Sequence, residues 1–211
     1  MKTDGRPDRP KDRPSSRARR HEAILDAAEA LFIEQGYDGT SLAEVVRRSG
    51  GSLATLYELF GNKQGLLYAI AARWRDKMAS EAAASDPAAS QSPADILMRY
   101  ARHRCRTLNS PRVIALVRML ASESLRDRTF ALQTYRDMHL PAIDELTDLL
   151  AGWTAAGKAQ VDDPRAAAEM FLTLIAGDSI LSTLAGVEDG MLDEEQIAWR
   201  LRPFLSYFKI G

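Results

Sequence analysis

Histidines, cysteines and paired carboxylates carry most metal and covalent chemistry in helical proteins, and here they are sparse. The chain has 3 histidines and 1 cysteine in 211 residues. A di-iron carboxylate bundle needs Glu-x-x-His pairs projecting inward. The residues three before His21, His103 and His139 are Ala18, Tyr100 and Arg136. No Cys/His set has zinc spacing, and no glycine-rich phosphate loop occurs. No catalytic residue, metal or cofactor is therefore expected. Electrostatic chemistry remains. Residues 1–75 carry 13 Lys/Arg against 10 Asp/Glu, while the whole chain has net charge −1. A basic end on a near-neutral chain suits local contact with a polyanion. Arg17, Arg19 and Arg20 close a basic N-terminal arm that can follow phosphates. The hydroxyls of Thr40 and Ser41 can meet phosphate, and Arg47 and Arg48 offer cations for a backbone or groove edge.

Those groups need elements to hold them. Residues 1–18 are too polar to order themselves and are expected to be a disordered arm. From about Arg19 to Gln35, Ile24, Ala27, Ala28, Leu31 and Phe32 recur at helical spacing. Leu42, Val45 and Val46 give a second, shorter helix, which Ser41 and Glu44 would start as a capping box. Ser49, Gly50 and Gly51 break it, Ser52 caps a third helix with Leu53, Leu56, Tyr57 and Phe60, and Gly61 stops that. Asn62 can cap a fourth helix from Lys63. Two short helices around a glycine turn have the form of a helix-turn-helix, whose second helix can enter a major groove; an ordinary αα-hairpin has the same pattern.

The run AILDAAEALFIEQGYDGTSLAEVV, the turn, and SLATLYELFGNKQGLL resemble the N-terminal domain of TetR-type transcriptional regulators. The resemblance spans about residues 20–67. It implies that Ser52, Leu53, Ala54 and Thr55 lie near base edges, and that Tyr57 and Lys63 lie near phosphates. This chain departs from the family at Leu53, Ala54, Glu58 and Leu59, where lysine, glycine and aromatic or histidine residues are frequent. Leu53 would then touch a thymine methyl rather than bond a guanine edge. Glu58 would repel phosphate unless it points away.

Beyond residue 66 no strand alternation appears, and the expected fold is all-α, with about nine helices. Ser92-Pro93 and Ser110-Pro111 look like helix starts with serine caps. The segment from Asp127 to Ala156 should kink or split at Pro141. The helix after Pro164 is apolar nearly all round and should be buried on several sides; Glu169 and Asp178 argue against a membrane span. The expected organisation is an arm over 1–18, a helix-turn-helix DNA-binding domain over 19–66, and a ligand-binding and dimerisation domain over 67–211. The resemblance implies a homodimer through the last two helices, reading a palindromic double-stranded operator. It also implies a small-molecule effector, in a pocket for which Tyr100, His103, Met119, Glu123, Tyr135, Met138, His139, Phe171 and Asp178 are candidates. The charged N-terminus lacks an apolar signal region and the cysteine count suits a reducing compartment, so a cytoplasmic location is expected. The functional expectation is a ligand-responsive dimeric repressor. A helical adaptor that binds protein only, or a helical-bundle enzyme, is the alternative.

Overall fold

The computed structural model describes residues 15–84, 92–108, 110–186 and 192–211. The expected arm up to residue 14 and the expected loop over 85–91 lie outside the described residues. The chain divides into two compact units between Leu66 and Leu67. Every regular element among the described residues is helical.

In the first unit, α1 (Ser16–Gln35) buries Ile24, Ala27, Ala28, Leu31 and Phe32, the row the periodicity marks, with Leu25 beside it. It starts three residues before the expected boundary, because Ser15 Oγ accepts from the Ala18 N–H at 3.1 Å. Thus residues 16–18, expected in the arm, are the first turn of α1, where Ser15 satisfies an N–H that helix geometry leaves without a partner. Helix α2 (Leu42–Ser49) packs on α1 and has the full capping box: Ser41 Oγ accepts from Glu44 N, and Glu44 Oε2 accepts from Ser41 N. Gly50 ends it at φ +72°, a left-handed conformation that side chains resist. Helix α3 (Leu53–Phe60) follows directly, with Ser52 Oγ accepting from Thr55 N at 3.1 Å. Leu56 and Phe60 anchor its inner side.

Helix α4 (Lys63–Ala84) begins one tight turn later, with Asn62 Oδ1 accepting from Gly65 N at 2.7 Å. A Cβ on Gly65 would lie 1.9 Å from the Phe60 carbonyl oxygen, so only glycine admits this closeness of α3's end to α4's start.

The second unit contains the rest of α4 together with α5 (Pro93–Leu108), α6 (Pro111–Arg126), α7 (Arg128–Thr134), α8 (Leu140–Ala155), α9 (Pro164–Ala185) and α10 (Glu194–Tyr207). Its core joins Leu97, Ala101 and Cys105 of α5 to Ile143, Leu146 and Leu150 of α8, Phe171 and Ile175 of α9, and Leu201 and Phe204 of α10. Ser92 caps α5 as expected, but Ser110 makes no side-chain cap bond; Pro111 alone marks the start of α6. Helix α9 buries Ala168, Phe171, Leu172 and Ile175, yet Met170 is exposed, so one side is open rather than covered. No described helix is long and apolar enough to cross a membrane.

The split expected at Pro141 is a π turn, Tyr135–His139, between α7 and α8. Counting the continuous run Arg128–Ala155 once gives nine helical rods among the described residues. Proline has no N–H, so the carbonyl four residues earlier, on Asp137, loses its helical donor. Arg75 of α4 supplies one instead, its Nη1 donating to Asp137 O at 2.8 Å. Tyr68 of α4 donates to Asp137 Oδ2 at 2.5 Å. Burial, and then the Asp137 carboxylate, push the Tyr68 phenol up, so it stays protonated as the donor. Sequence thus dictates a gap in the helix ladder, and the tertiary fold fills it from another helix.

Candidate functional site

Two turns of helix present the outward face of α3. Leu53 is 42% exposed and Tyr57 is 52% exposed, which is unusual for large side chains on so short a helix. Ala54 is exposed beside them. Ser52 and Thr55 share a hydroxyl contact of 2.9 Å at the N-terminus of α3. Helix N-termini carry partial positive charge and favour anions. Lys63 lies 4.5 Å over the Tyr37 ring, and its Nζ donates to Asp38 O at 3.4 Å. The loop 37–38 therefore fixes the direction of this cation.

The structure separates the remaining candidates. Ser41 is exposed and occupied by its capping box. Thr40 is corrected: its side chain is buried, with Oγ1 directed at Gly36 O at 2.9 Å and Leu31 O at 3.2 Å. A hydroxyl turned onto the end of α1 holds α1 against the start of α2 and offers phosphate nothing. Arg48 makes a two-pronged pair with Glu34 of α1, at 2.6 and 2.8 Å. The Arg48 guanidinium holds the Glu34 carboxyl below its usual range. Arg47 is far more open, with Glu44 at 3.5 Å. Arg19 and Arg20 are exposed on the first turns of α1.

Glu58 lies 3.2 Å from Arg17 Nη2. The pair answers the difficulty that an acid on α3 poses beside a polyanion. Arg17 neutralises Glu58 locally and is itself brought to α3, across 41 residues of sequence. Sequence reasoning treated the two separately, since nothing local links them.

In the second unit the described pocket candidates meet different neighbours. Tyr100 packs edge-on to Phe171 at 5.9 Å between centroids, and Tyr135 lies 5.2 Å from His139. Phe171 is fully buried in the core. Glu123 is buried and pairs with Arg126 at 3.2 Å. Met119 and Met138 are half-buried, and His103 has a buried Nε2 without a hydrogen-bond partner. The Asp178 side chain lies outside the described residues. Burial pushes the Tyr100 phenol up, against the pull of Arg104. Burial pushes His139 down, helped by Arg104 and opposed by Glu169. Cys105 is buried, its Sγ 3.6 Å from Ile175 O, and burial pushes its thiol up. It lacks the thiolate character of a reactive cysteine.

Sequence reasoning missed Arg75, Tyr68 and Asp137. Pro141 was the available signal for Asp137, because a proline names the carbonyl it leaves without a donor.

Comparison with known proteins places this geometry. Residues 24–70 match the family described as bacterial regulatory proteins, tetR family. Residues 95–202, just over half of the chain, match the AefR-like transcriptional repressor C-terminal domain. The chain belongs to the TetR family. Its members are transcriptional regulators, not enzymes. The HTH-type transcriptional repressor ComR of Escherichia coli is 43% identical over 60 residues, 28% of this chain and 29% of ComR. The chain thus spans under a third of the length of that curated relative. Among solved structures, the flavonoid-responsive regulator FrrA is 28% identical, covering 90% of this chain and 96% of FrrA, with TM-score 0.69. A TetR-family regulator from Mesorhizobium loti has TM-score 0.77 at 21% identity, covering 92% of this chain and 99% of its own, and speaks to the fold alone.

Proposed function

We propose that this TetR-family chain is a dimeric, effector-responsive repressor, with residues 19–66 as its DNA-binding domain and 67–211 as its effector and dimer domain. The observation that carries the DNA reading is the exposed row of α3, Leu53, Ala54 and Tyr57, beside a hydroxyl-lined N-terminus. A major groove covers such a row, with Leu53 against a thymine methyl and Ser52 and Thr55 at base edges. Tyr57, Lys63, Arg47 and the Arg17, Arg19, Arg20 set then follow phosphates. Exposed Met170 and Leu184 on α9, with Trp199 and Tyr207 on α10, support a second copy docking on these last helices. A two-fold pair would read a palindromic site. FrrA is a flavonoid-responsive regulator, which supports a small-molecule effector here without naming it.

An effector can act only by preferring one state of the dimer. Helix α4 carries that preference, since it continues from the reading head into the helix that Asp137 holds. Such a regulator works beside the chromosome in the cytoplasm, which the buried, unpaired thiol suits.

The test is titration of a fluorescent duplex containing a symmetric site, at several salt concentrations. Binding should weaken steeply with salt. The Thr55→Ala, Tyr57→Ala double variant should lose specific retention while keeping its helical signal and mass in solution. Salt-independent binding, or unchanged retention by the double variant, would overturn the reading.

A further inference from the structure

The rod formed by α7, the π turn and α8 is patterned against its own packing just before the turn. Leu132 is 44% exposed and Tyr135 is 50% exposed. Between them Thr134 is half-buried, and its Oγ1 is buried with no hydrogen-bond partner. Ala131, beside Leu132, is half-buried too. Large apolar groups thus face water while a hydroxyl without a partner is turned inward, and both arrangements cost stability. Buried polar groups in folded proteins are nearly always paired, so this exception calls for a cause.

The π turn supplies one. It closes i→i+5 rather than i→i+4, so it holds one residue more than an α-helix of the same span. The Leu140 N–H accordingly donates to Tyr135 O. A residue on the α7 side of the turn therefore occupies the place its successor would hold if α8 ran back as unbroken α-helix. If the extra residue moves about a turn toward Phe130, each residue it passes takes the place of the one before. That is a step of about 1.5 Å along the axis and about 100° around it. Tyr135 then takes the inner place of Thr134, and Thr134 takes that of exposed Gln133. Leu132 takes the place of Ala131, and Arg136 takes the outer place of Tyr135. Each of these exchanges moves an apolar group inward or a polar one outward. The two receiving places are half-buried, so a longer side chain can reach out from them.

What opposes the exchange is Asp137. Its carboxylate accepts from the Tyr68 hydroxyl at 2.5 Å and its carbonyl accepts from Arg75 Nη1 at 2.8 Å, both on α4. In the second arrangement Asp137 takes the outer place of Arg136, and both bonds break. Two hydrogen bonds, one of them to a carboxylate, and the burial of parts of two large side chains are effects of similar size. We propose that α7 has two registers on α8, and that Tyr68 and Arg75 form the latch that holds the register in which Leu132 and Tyr135 are exposed. The register decides whether α4 is tied to the rod, so the rod is a two-state element with α4 as its output. The inference goes beyond the repressor reading and requires neither DNA nor effector.

The experiment uses the full chain with Cys105→Ala, which removes the native thiol, and a single reporter, Thr134→Cys. The rate of maleimide labelling is measured. Position 134 faces inward when latched and outward in the second register, while Leu132 and Tyr135 remain to drive the change. In the latched chain the reporter should label slowly. With Tyr68→Phe and Arg75→Met added, labelling should speed up at least about tenfold, the change in population that losing one such hydrogen bond permits. The helical circular dichroism should be retained, because one helix form replaces another. Adding Leu132→Ser and Tyr135→Ser then removes the apolar drive and should restore the slow rate. That arm separates a change of register from plain loosening, which the two serines would only increase. A reporter exposed in both registers, Arg136→Cys, should label alike in all three backgrounds. Labelling that stays slow without the latch, labelling that stays fast after the serine substitutions, a matching rise at position 136, or lost helical signal in the latch-free chain would each overturn the proposal. No arm contains duplex, so failure of the DNA reading would leave these results as they stand.

Discussion

The reading head and the larger C-terminal unit are both helical, yet they are held by different means. The head defines itself through bonds a few residues long: Ser15, Ser41, Ser52 and Asn62 each satisfy an N–H three residues on. Its helices α2 and α3 have 8 residues each, too short to persist alone in water. Caps and a small shared core make them rigid, as a surface that must match a groove requires. The larger unit depends instead on a wide apolar core and on a few long-range polar contacts placed where helix geometry fails. One consists of caps around a rigid display, the other of burial around polar groups that stay partly unmet. A binding head gains from having one conformation.

The sharpest break of that contrast is at Phe171, which is fully buried and touches both Tyr100 and Phe204. Phe171→Ala should cost about 3–5 kcal/mol. Urea denaturation followed by the fluorescence of Trp153 should show it as a large fall in midpoint. A loss comparable to that of a surface substitution would mean that burial does not dominate this unit.

A smaller effect is expected at the clamp. Arg75→Met removes the donor to Asp137 O and should cost about 1–2 kcal/mol. The loss should shrink in a Pro141→Ala background, because alanine returns an N–H four residues after Asp137. A double-mutant cycle reads that coupling directly. Strict additivity would dismiss the account of the π turn.

In the head, Thr40→Val should cost about 1 kcal/mol through its inward bonds to Gly36 and Leu31. If Thr40 is a positioning residue, the salt dependence of DNA binding keeps its slope in this variant. A slope lowered by about one phosphate's worth would restore Thr40 to the contact surface.

The least effect belongs to Glu34→Gln, which unpairs an exposed Arg48. No resolvable change in melting temperature is expected, since open ion pairs contribute little. The released Arg48 should instead strengthen non-specific DNA binding at low salt, and unchanged affinity would show that Arg48 faces away from the duplex.

Much of the head was legible beforehand. The capping box at Ser41 and Glu44, the Gly50 stop and the Asn62 start follow from side chains bonding backbone within one turn. The α1 boundary slipped by three residues because Ser15 lies in a run whose composition reads as disordered, though its hydroxyl starts a helix. Thr40 was misread for a related reason: an exposed and a buried hydroxyl look alike in sequence, and only the packing of α1 on α2 turns this one inward. The pocket was least legible. Tyr100 packs on Phe171, Tyr135 lies against His139 and Glu123 pairs with Arg126, and no residue type in the sequence announces those contacts.

By itself the sequence determined most helix starts and stops in the head, which residues line the inner faces there, and the resemblance that led to the TetR family. Those follow from bonds and periodicities that close within a few residues. The tertiary structure decided which distant groups meet: Arg17 with Glu58 across 41 residues, Arg75 with the Asp137 carbonyl across 62, and Cys105 with the Ile175 carbonyl across 70. It also decided which buried side-chain atoms, His103 Nε2 and Thr134 Oγ1 among them, have no hydrogen-bond partner. Such pairings arise only after long loops have closed and helices have packed, and no local pattern of residues encodes the outcome.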